Sequence, residues 1–263
     1  MSGPYAAGMN DSEVVNPARF LGRADAYAAA RPGYPAALGA WLRDAGLLTG
    51  RVADIGAGTG RFTALLLDMG ASVAAVEPNP EMRAHLEDHL SAAVRAGQLT
   101  VHAGTSEATG LADGSVDLIT AAQAAHWFDP ARTVPEFRRV LRPGGRVLLV
   151  WNDWRAVDSM FNRAYGEVVR QHAGDDPLRT RVLDDELPLH LPGGFERLTF
   201  THRHPLSREG LTALASSVSY LPNQNDPAYP ALRGDLNAIF DSHQSGGLVA
   251  LDYQTQVFLG SVE

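Results

Sequence analysis

Short apolar runs alternating with longer amphipathic stretches set the rhythm of this chain. Val52–Ile55, Ser72–Val76, Leu99–His102, Asp117–Thr120 and Val147–Trp151 each read as a brief, buried strand. Apolar positions recur at helical spacing over Gly60–Met69, Glu81–Arg95 and Pro130–Leu141, and ahead of the first strand over Pro17–Ala30 and about Ala36–Ala45. Asn16 is placed to cap the first of these helices, and Arg31-Pro32-Gly33-Tyr34-Pro35 separates it from the second. Strands that alternate with helices of this length predict parallel pairing and a doubly wound α/β sheet. The pattern loosens after Trp151. Residues 155–190 read as one or two helices inserted after the fifth strand, and Leu198–His202 and Leu251–Leu259 as strands with helices between them. Apolar and polar residues alternate over Leu251–Phe258, which suggests a half-exposed or edge strand, antiparallel to the rest.

Composition narrows the possible chemistry. The chain has 263 residues, a formal charge of −8 and no cysteine, so disulfides, thiolate catalysis and Cys-ligated metals are excluded. An acidic chain without a basic run is a poor partner for phosphate backbones, so no nucleic acid is expected. All 22 basic residues are arginine, which fits either a coding bias or anion recognition by guanidinium groups. No apolar run approaches the ~20 residues of a membrane span, and Met1–Asn10 lacks the features of a secretory signal, so no membrane association and a cytoplasmic location are expected. His202 and His204 share one face of a probable strand and with His243 could form a metal set, but solvent-facing histidines are commoner and no metal is expected.

The most informative stretch is Val52-Ala53-Asp54-Ile55-Gly56-Ala57-Gly58-Thr59-Gly60-Arg61-Phe62, a buried strand that runs through a glycine-rich turn into a helix. Gly56 and Gly58 permit backbone angles closed to other residues and let a ligand approach the main chain, at the strand edge where open parallel sheets bind ligands. Arg61 stands where a dinucleotide-binding fingerprint would place its last glycine, and no phosphate-loop lysine follows. Glu77 ends the second strand, 21 residues after Gly56, where a carboxylate can accept two hydrogen bonds from a ribose diol. Met82, one turn further on, could cover an adenine face or simply pack in the core.

Asp54-Ile55-Gly56-Ala57-Gly58-Thr59-Gly60 resembles the first motif of class I S-adenosylmethionine-dependent methyltransferases, and Glu77 matches the acidic residue of their second. Leu111-Ala112-Asp113-Gly114-Ser115-Val116-Asp117-Leu118-Ile119 is similar to their fourth-strand segment, and Leu141-Arg142-Pro143-Gly144-Gly145 to the turn before the fifth strand. The flanks, Arg31–Pro35 and His126-Trp127-Phe128-Asp129, resemble a bacterial small-molecule subgroup of the trans-aconitate type. The resemblance implies a mostly parallel seven-stranded sheet with an antiparallel last strand, in one domain over 1–263. Residues 1–45 would form a helical lid, 50–151 the cofactor-binding core, and 152–263 the substrate-shaping region.

It also implies roles for residues. Gly56, Ala57, Gly58, Thr59 and Gly60 would hold the methionine part of S-adenosylmethionine, with Asp54 acting on its amino group directly or through water. Glu77 would take the ribose, with Pro78 and Met82 beside it. Thr105 and Ser106, in the third-strand loop Gly104-Thr105-Ser106-Glu107, would meet the adenine, although the family often carries Asp at the position of Thr105. Ala121 and Gln123, at the end of the fourth strand, would complete the cofactor site, and Arg31 could meet the methionine carboxylate.

Methyl transfer needs in-line alignment and exclusion of water, and needs a base only if the acceptor loses a proton. His126 is the candidate base, and the same ring could instead line the pocket or brace the next helix. Tyr27, Tyr34 and Trp127 are the other candidate acceptor contacts, with Tyr27 and Tyr34 on a segment that could close over the site. The expected acceptor is a small molecule, methylated on O, N or C; a homodimer is compatible with the sequence. The alternatives are a same-fold enzyme or binding protein that uses the cofactor without transferring methyl, and an NAD-dependent oxidoreductase, which the Arg61 mismatch disfavours.

Overall fold

A computed structural model describes residues 31–173, 184–218 and 220–263. Tyr27 and the predicted Pro17–Ala30 helix lie outside these described residues. In chain order the elements are α1 (Ala36–Asp44), β1 (Arg51–Ile55), α2 (Arg61–Asp68), β2 (Ser72–Val76), α3 (Pro80–His89), α4 (Ser91–Arg95), β3 (Leu99–His102), β4 (Val116–Ala122), a 3-10 turn (Ala125–Trp127), α5 (Pro130–Val140) and β5 (Leu141–Asp153). Then follow α6 (Met160–His172), α7 (Leu187–His190), β6 (Phe195–Leu206), α8 (Arg208–Ser217), α9 (Tyr229–His243) and β7 (Val249–Gly260). The seven strands form one sheet in the order β3-β2-β1-β4-β5-β7-β6. β1 to β5 pair in parallel, and β7 lies antiparallel to both β5 and β6.

Alternate residues of each strand face opposite layers. Ala53, Ile55, Ile119, Ala121, Val147 and Leu149 bury against Val134, Phe137 and Val140 of α5. Val52, Val73, Leu118, Leu148 and Val257 bury against Leu38 and Leu42 of α1 and Phe62 and Leu66 of α2. A third apolar cluster joins α6, α8 and α9 to the ends of β6 and β7, through Tyr165, Leu214, Leu236, Leu251 and Tyr253. This cluster stands over the carboxyl end of β5 and supplies one wall of the site.

Two expectations need correction. The helix read over Glu81–Arg95 breaks at Leu90, whose φ of −106° and ψ of 22° end α3 and start α4. Of the reading of Leu251–Phe258 as a half-exposed or edge strand, the alternating burial holds and the edge position does not: β7 sits between β5 and β6, and β6, with alternate residues exposed along most of its length, is the edge. The polar positions Asp252, Gln254 and Gln256 are half-buried because only one face of β7 is fully covered.

Candidate active site

The chain order reverses between β1 and β4, so the loops leaving their carboxyl ends diverge and open a crevice. The glycine turn lines it. Gly56 and Ala57 both donate backbone hydrogen bonds to the carbonyl of Val76, at 2.8 and 3.2 Å, which draws the turn toward the tip of β2. Gly56 has φ of +70°, and a Cβ there would lie 2.6 Å from that of Ala124; Gly58 has φ of +56°, and a Cβ there would meet open space. Gly56 is thus required by packing, whereas Gly58 leaves its main chain open to a ligand.

Glu77 is buried (8 % exposed) and holds this turn. Its Oε2 accepts from the Gly58 amide and its Oε1 from the Asn79 amide, both at 2.9 Å. Burial raises its pKa, against the two amide hydrogen bonds and the charge of Arg83. A carboxylate has about four acceptor positions, so two remain for an incoming diol. Asn79 then caps α3, its Oδ1 accepting from the amides of Glu81 and Met82. Met82 is buried in that first turn and Pro78 is half-buried, its carbonyl accepting from Arg83.

Asp54 lies beneath the turn, 1 % exposed. Thr63 donates to its Oδ2 at 2.6 Å and Thr120 to its Oδ1 at 2.9 Å. Burial pushes its pKa up to about 6, although both hydroxyls favour the ionised form. Nearby, the buried Thr59 Oγ1 has no hydrogen-bond partner. An orphaned hydroxyl, an open backbone at Gly58 and a carboxylate with spare acceptor positions together fit the methionine and ribose parts of an adenosyl sulfonium.

A cavity of about 170 Å3 extends from this turn toward the third apolar cluster. It brings together Arg31, Tyr34, Asp54, Gly56, Ala57, Gly58, Thr59, Gln123, His126 and Trp127 from the sequence expectations. Ala121 is wholly buried in β4, and the neighbouring Ala122 reaches the cavity instead. Gln123 has φ of +56°, the one positive φ outside glycine among the described residues, and its amide nitrogen donates to the Asn152 carbonyl. Strain of this kind tends to persist where a site is held in shape. Glu77, Pro78, Met82, Gly60, Thr105 and Ser106 are not on the wall of this cavity. Thr105 is exposed, while the Ser106 hydroxyl donates to Glu107 and accepts from Thr133.

His126 sits in the 3-10 turn after β4. Trp151 Nε1 donates to its Nδ1 across 3.4 Å, leaving the ring proton on Nε2. Burial, then the charge of Arg31, lowers its pKa to about 3, so it is neutral at physiological pH. Arg31 Nε and Nη2 donate to the hydroxyl and carbonyl of Ser217 at the end of α8. Sequence reasoning missed the far wall, which includes Trp151 and Trp154, Tyr165 of α6, Tyr220, and Tyr253 and Phe258 of β7. These come singly from distant elements, so no local motif marks them. His202 and His243 are apart in use: His202 stacks on Tyr253, and His243 Nδ1 lies 2.8 Å from the Ile239 carbonyl oxygen within α9. No described helix is long and apolar enough to cross a membrane.

Comparison with known proteins agrees with this geometry. Residues 53–149 match the family described as a methyltransferase domain. An uncharacterized methyltransferase of Mycobacterium tuberculosis is 42 % identical over 201 residues, 74 % of each chain. A methyltransferase-like protein of Schizosaccharomyces pombe is 30 % identical over 244 residues, 90 % of this chain and 93 % of its own. The solved structure of a candidate type II methyltransferase from Anaeromyxobacter dehalogenans superposes with a TM-score of 0.65 at 24 % identity, over 88 % of this chain and 98 % of that one, which shows the shared fold. By sequence, fold and the cofactor its carboxyl-edge crevice fits, the chain belongs to the class I S-adenosylmethionine-dependent methyltransferases.

Proposed function

We propose that this enzyme methylates a small-molecule acceptor held in the cavity between the glycine turn and the α6–α8–β7 wall. The observation that carries the reading is the continuity of one crevice, from the open backbone at Gly58 to a chamber walled by Trp127, Trp151, Tyr165, Tyr253 and Phe258. When bound, S-adenosylmethionine supplies an electrophilic methyl on a sulfonium, so a new bond to the acceptor forms as the S–CH3 bond breaks and the electron pair stays on sulfur.

The residues of the chain do the rest. Glu77 holds the ribose diol while pinning Gly58 and Asn79. Asp54 places negative charge under the methionine end, and Thr59 offers a hydroxyl there. The half-buried Glu107, next to the Asp129 amide, is the carboxylate of the third-strand loop and takes the role that Thr105 cannot fill toward the adenine amine. Trp127, Trp151 and Phe258 exclude water and align the acceptor.

His126 serves as a neutral group that lines and orients, donating from Nε2, rather than as the proton sink. With a pKa near 3 it stays unprotonated through neutrality, and its conjugate acid is too strong for it to draw a proton from a weakly acidic acceptor. The pH profile of kcat should therefore show no inflection between about pH 6 and 8 from this residue. A limb at pH 6–7 that disappears in His126→Ala would restore the base role. The overall reading is tested by titrating the protein with S-adenosylhomocysteine in a calorimeter. Saturable one-to-one binding is expected, and its absence at millimolar ligand would remove the proposed site.

A further inference from the structure

The far wall of the cavity carries hydroxyl groups that the methyl-transfer chemistry does not use. Tyr165 and Tyr253 are only 2 % and 4 % exposed, and Tyr220 is half-buried; all three line the cavity. None of their phenol oxygens is hydrogen-bonded to a described residue, though a buried phenol is normally paired. The phenols act on one another electrostatically, Tyr220 and Tyr253 on Tyr165 and Tyr220 on Tyr253, so they gather in one part of the chamber. Ring contacts fix two of them: Tyr165 lies edge-on to Trp154 at 5.0 Å, and Tyr253 stacks on His202 at 5.3 Å. Packing of the rings, and not hydrogen bonding, therefore sets where these hydroxyls stand.

Charge gives this wall no single preference. Arg31 acts on all three phenols, Arg155 on Tyr220, and the Asp153 carboxylate on Tyr220 and Tyr253. An ion of either sign placed among the hydroxyls meets a like charge as well as an opposite one. Burial, the largest influence on each phenol, keeps all three protonated, so each offers one O–H donor and an acceptor oxygen. Groups of this kind match an uncharged oxygen, which accepts from them and, as a hydroxyl, donates back. The rest of the chamber presents flat rings, among them Trp127, Trp151 and Phe258, with Trp151 edge-on to Phe258 at 5.8 Å.

We propose that the acceptor is an uncharged, flat ring compound bearing a hydroxyl or carbonyl oxygen, and that Tyr165, Tyr220 and Tyr253 hold this oxygen through their hydroxyls. This inference rests on the methyl-transfer reading of the same cavity. Tyr165 and Tyr253 belong to the cluster that packs α6 on β7, away from the glycine turn. The oxygen they hold is therefore the anchor, and the methyl group goes to another atom of the same molecule. Specificity follows from the cost of an empty hydroxyl. An analogue with a methyl group in place of the oxygen leaves buried phenols unpaired in a desolvated chamber and is rejected, whereas a wall without the hydroxyls accepts it.

The test uses the full chain saturated with S-adenosylhomocysteine and three flat probes, phenol, toluene and benzoate. Phenol and toluene differ only by a hydroxyl in place of a methyl group. Three of the four tryptophans, Trp127, Trp151 and Trp154, line the cavity, so their fluorescence reports occupancy. Phenol should quench it saturably, and toluene and benzoate should each bind at least about tenfold more weakly. The Tyr165→Phe/Tyr253→Phe double variant should weaken phenol by about tenfold or more and leave toluene no weaker, while S-adenosylhomocysteine affinity stays within about twofold. It removes only two hydroxyls and keeps the rings that pack α6 on β7, so retained cofactor binding certifies its fold. Tyr220→Phe, at the least buried of the three, should move the phenol-to-toluene ratio in the same direction and carries the comparison if the double variant does not fold. Toluene that binds wild type as well as phenol overturns the proposal, and so does a ratio unchanged in a folded variant. Benzoate that binds more tightly than phenol overturns the uncharged anchor. A wild-type protein that binds S-adenosylhomocysteine but none of the probes sinks the ring-oxygen anchor and leaves methyl transfer standing, whereas failure to bind S-adenosylhomocysteine sinks both.

Discussion

Glu77→Gln should lower affinity for S-adenosylhomocysteine by about tenfold and destabilise the free protein as well. The wild-type carboxylate receives two backbone amides, from Gly58 and Asn79, on separate oxygens at 2.9 Å. A glutamine offers one oxygen and one NH2, so one of these buried N–H groups must face another donor. An uncompensated buried donor costs about 1–3 kcal/mol. The same NH2 cannot accept from a ribose hydroxyl, which removes a second hydrogen bond of about 1 kcal/mol or more in the complex. The first cost falls on the free protein as well and lowers its stability, so the affinity loss is set by the second, which at about 1.4 kcal/mol is about tenfold. Glu77→Asp should lie in the same range, because the shortened chain cannot span both amides. Because burial raises the Glu77 pKa, affinity should also begin to fall on acidification at a higher pH than for an exposed glutamate. Calorimetric Kd values for the two variants that lie within about threefold of wild type would detach Glu77 from the ribose.

The parts of this site that could be read from sequence are those written contiguously. Val52–Ile55 is apolar except for Asp54, buried on both faces of a parallel sheet and followed at once by the glycine turn, so strand, turn and ligand edge appear in eleven residues. Glu77 was legible for the same reason, since a strand tip has only one residue pointing at the neighbouring turn. The far wall was not legible. Tyr165, Tyr220 and Tyr253 converge only because α6 packs on β7, and no periodicity encodes which helix covers which strand. The alternation over Leu251–Phe258 reported correctly that one face is covered, but whether a strand is interior or at an edge depends on a partner fifty residues away, here His202 paired with Tyr253. His126 shows a further limit. Its spacing after β4 placed it at the cavity, but its protonation is set by burial and by Arg31, which lies ninety-five positions earlier in the chain. Leu90, which splits the predicted Glu81–Arg95 helix, has ordinary helical propensity and gave no warning.

Asp54→Asn should stabilise the fold while weakening its hold on the methyl donor, because a buried carboxylate is costly until a cation sits above it. The Asp54 pKa rises from 3.8 to about 6 on folding, chiefly through burial. The native state therefore favours the neutral acid. Below pH ~4 both folded and unfolded chains are protonated and the residue costs nothing; between about pH 4 and 6 only the unfolded chain ionises, and stability falls; above pH ~6 the full cost is present. A shift of about two units corresponds to about 3 kcal/mol as an upper bound. Asparagine has the same shape, and the Thr63 and Thr120 hydroxyls can turn to donate to its oxygen and accept from its NH2, so the network survives without the charge. At pH 7 the variant should melt several degrees higher, on the order of 2–4 °C per kcal/mol for a chain of this size, and should lose the decline in stability between pH 4 and 6. Both S-adenosylmethionine and S-adenosylhomocysteine should bind the variant more weakly than wild type, because the methionine ammonium that Asp54 faces is present in each. Melting curves across pH 4–8 together with Kd values for the two ligands decide it: an unchanged melting temperature at pH 7 would show that the Asp54 charge is no cost to the fold, and unchanged affinity for both ligands that it is no contact for the donor.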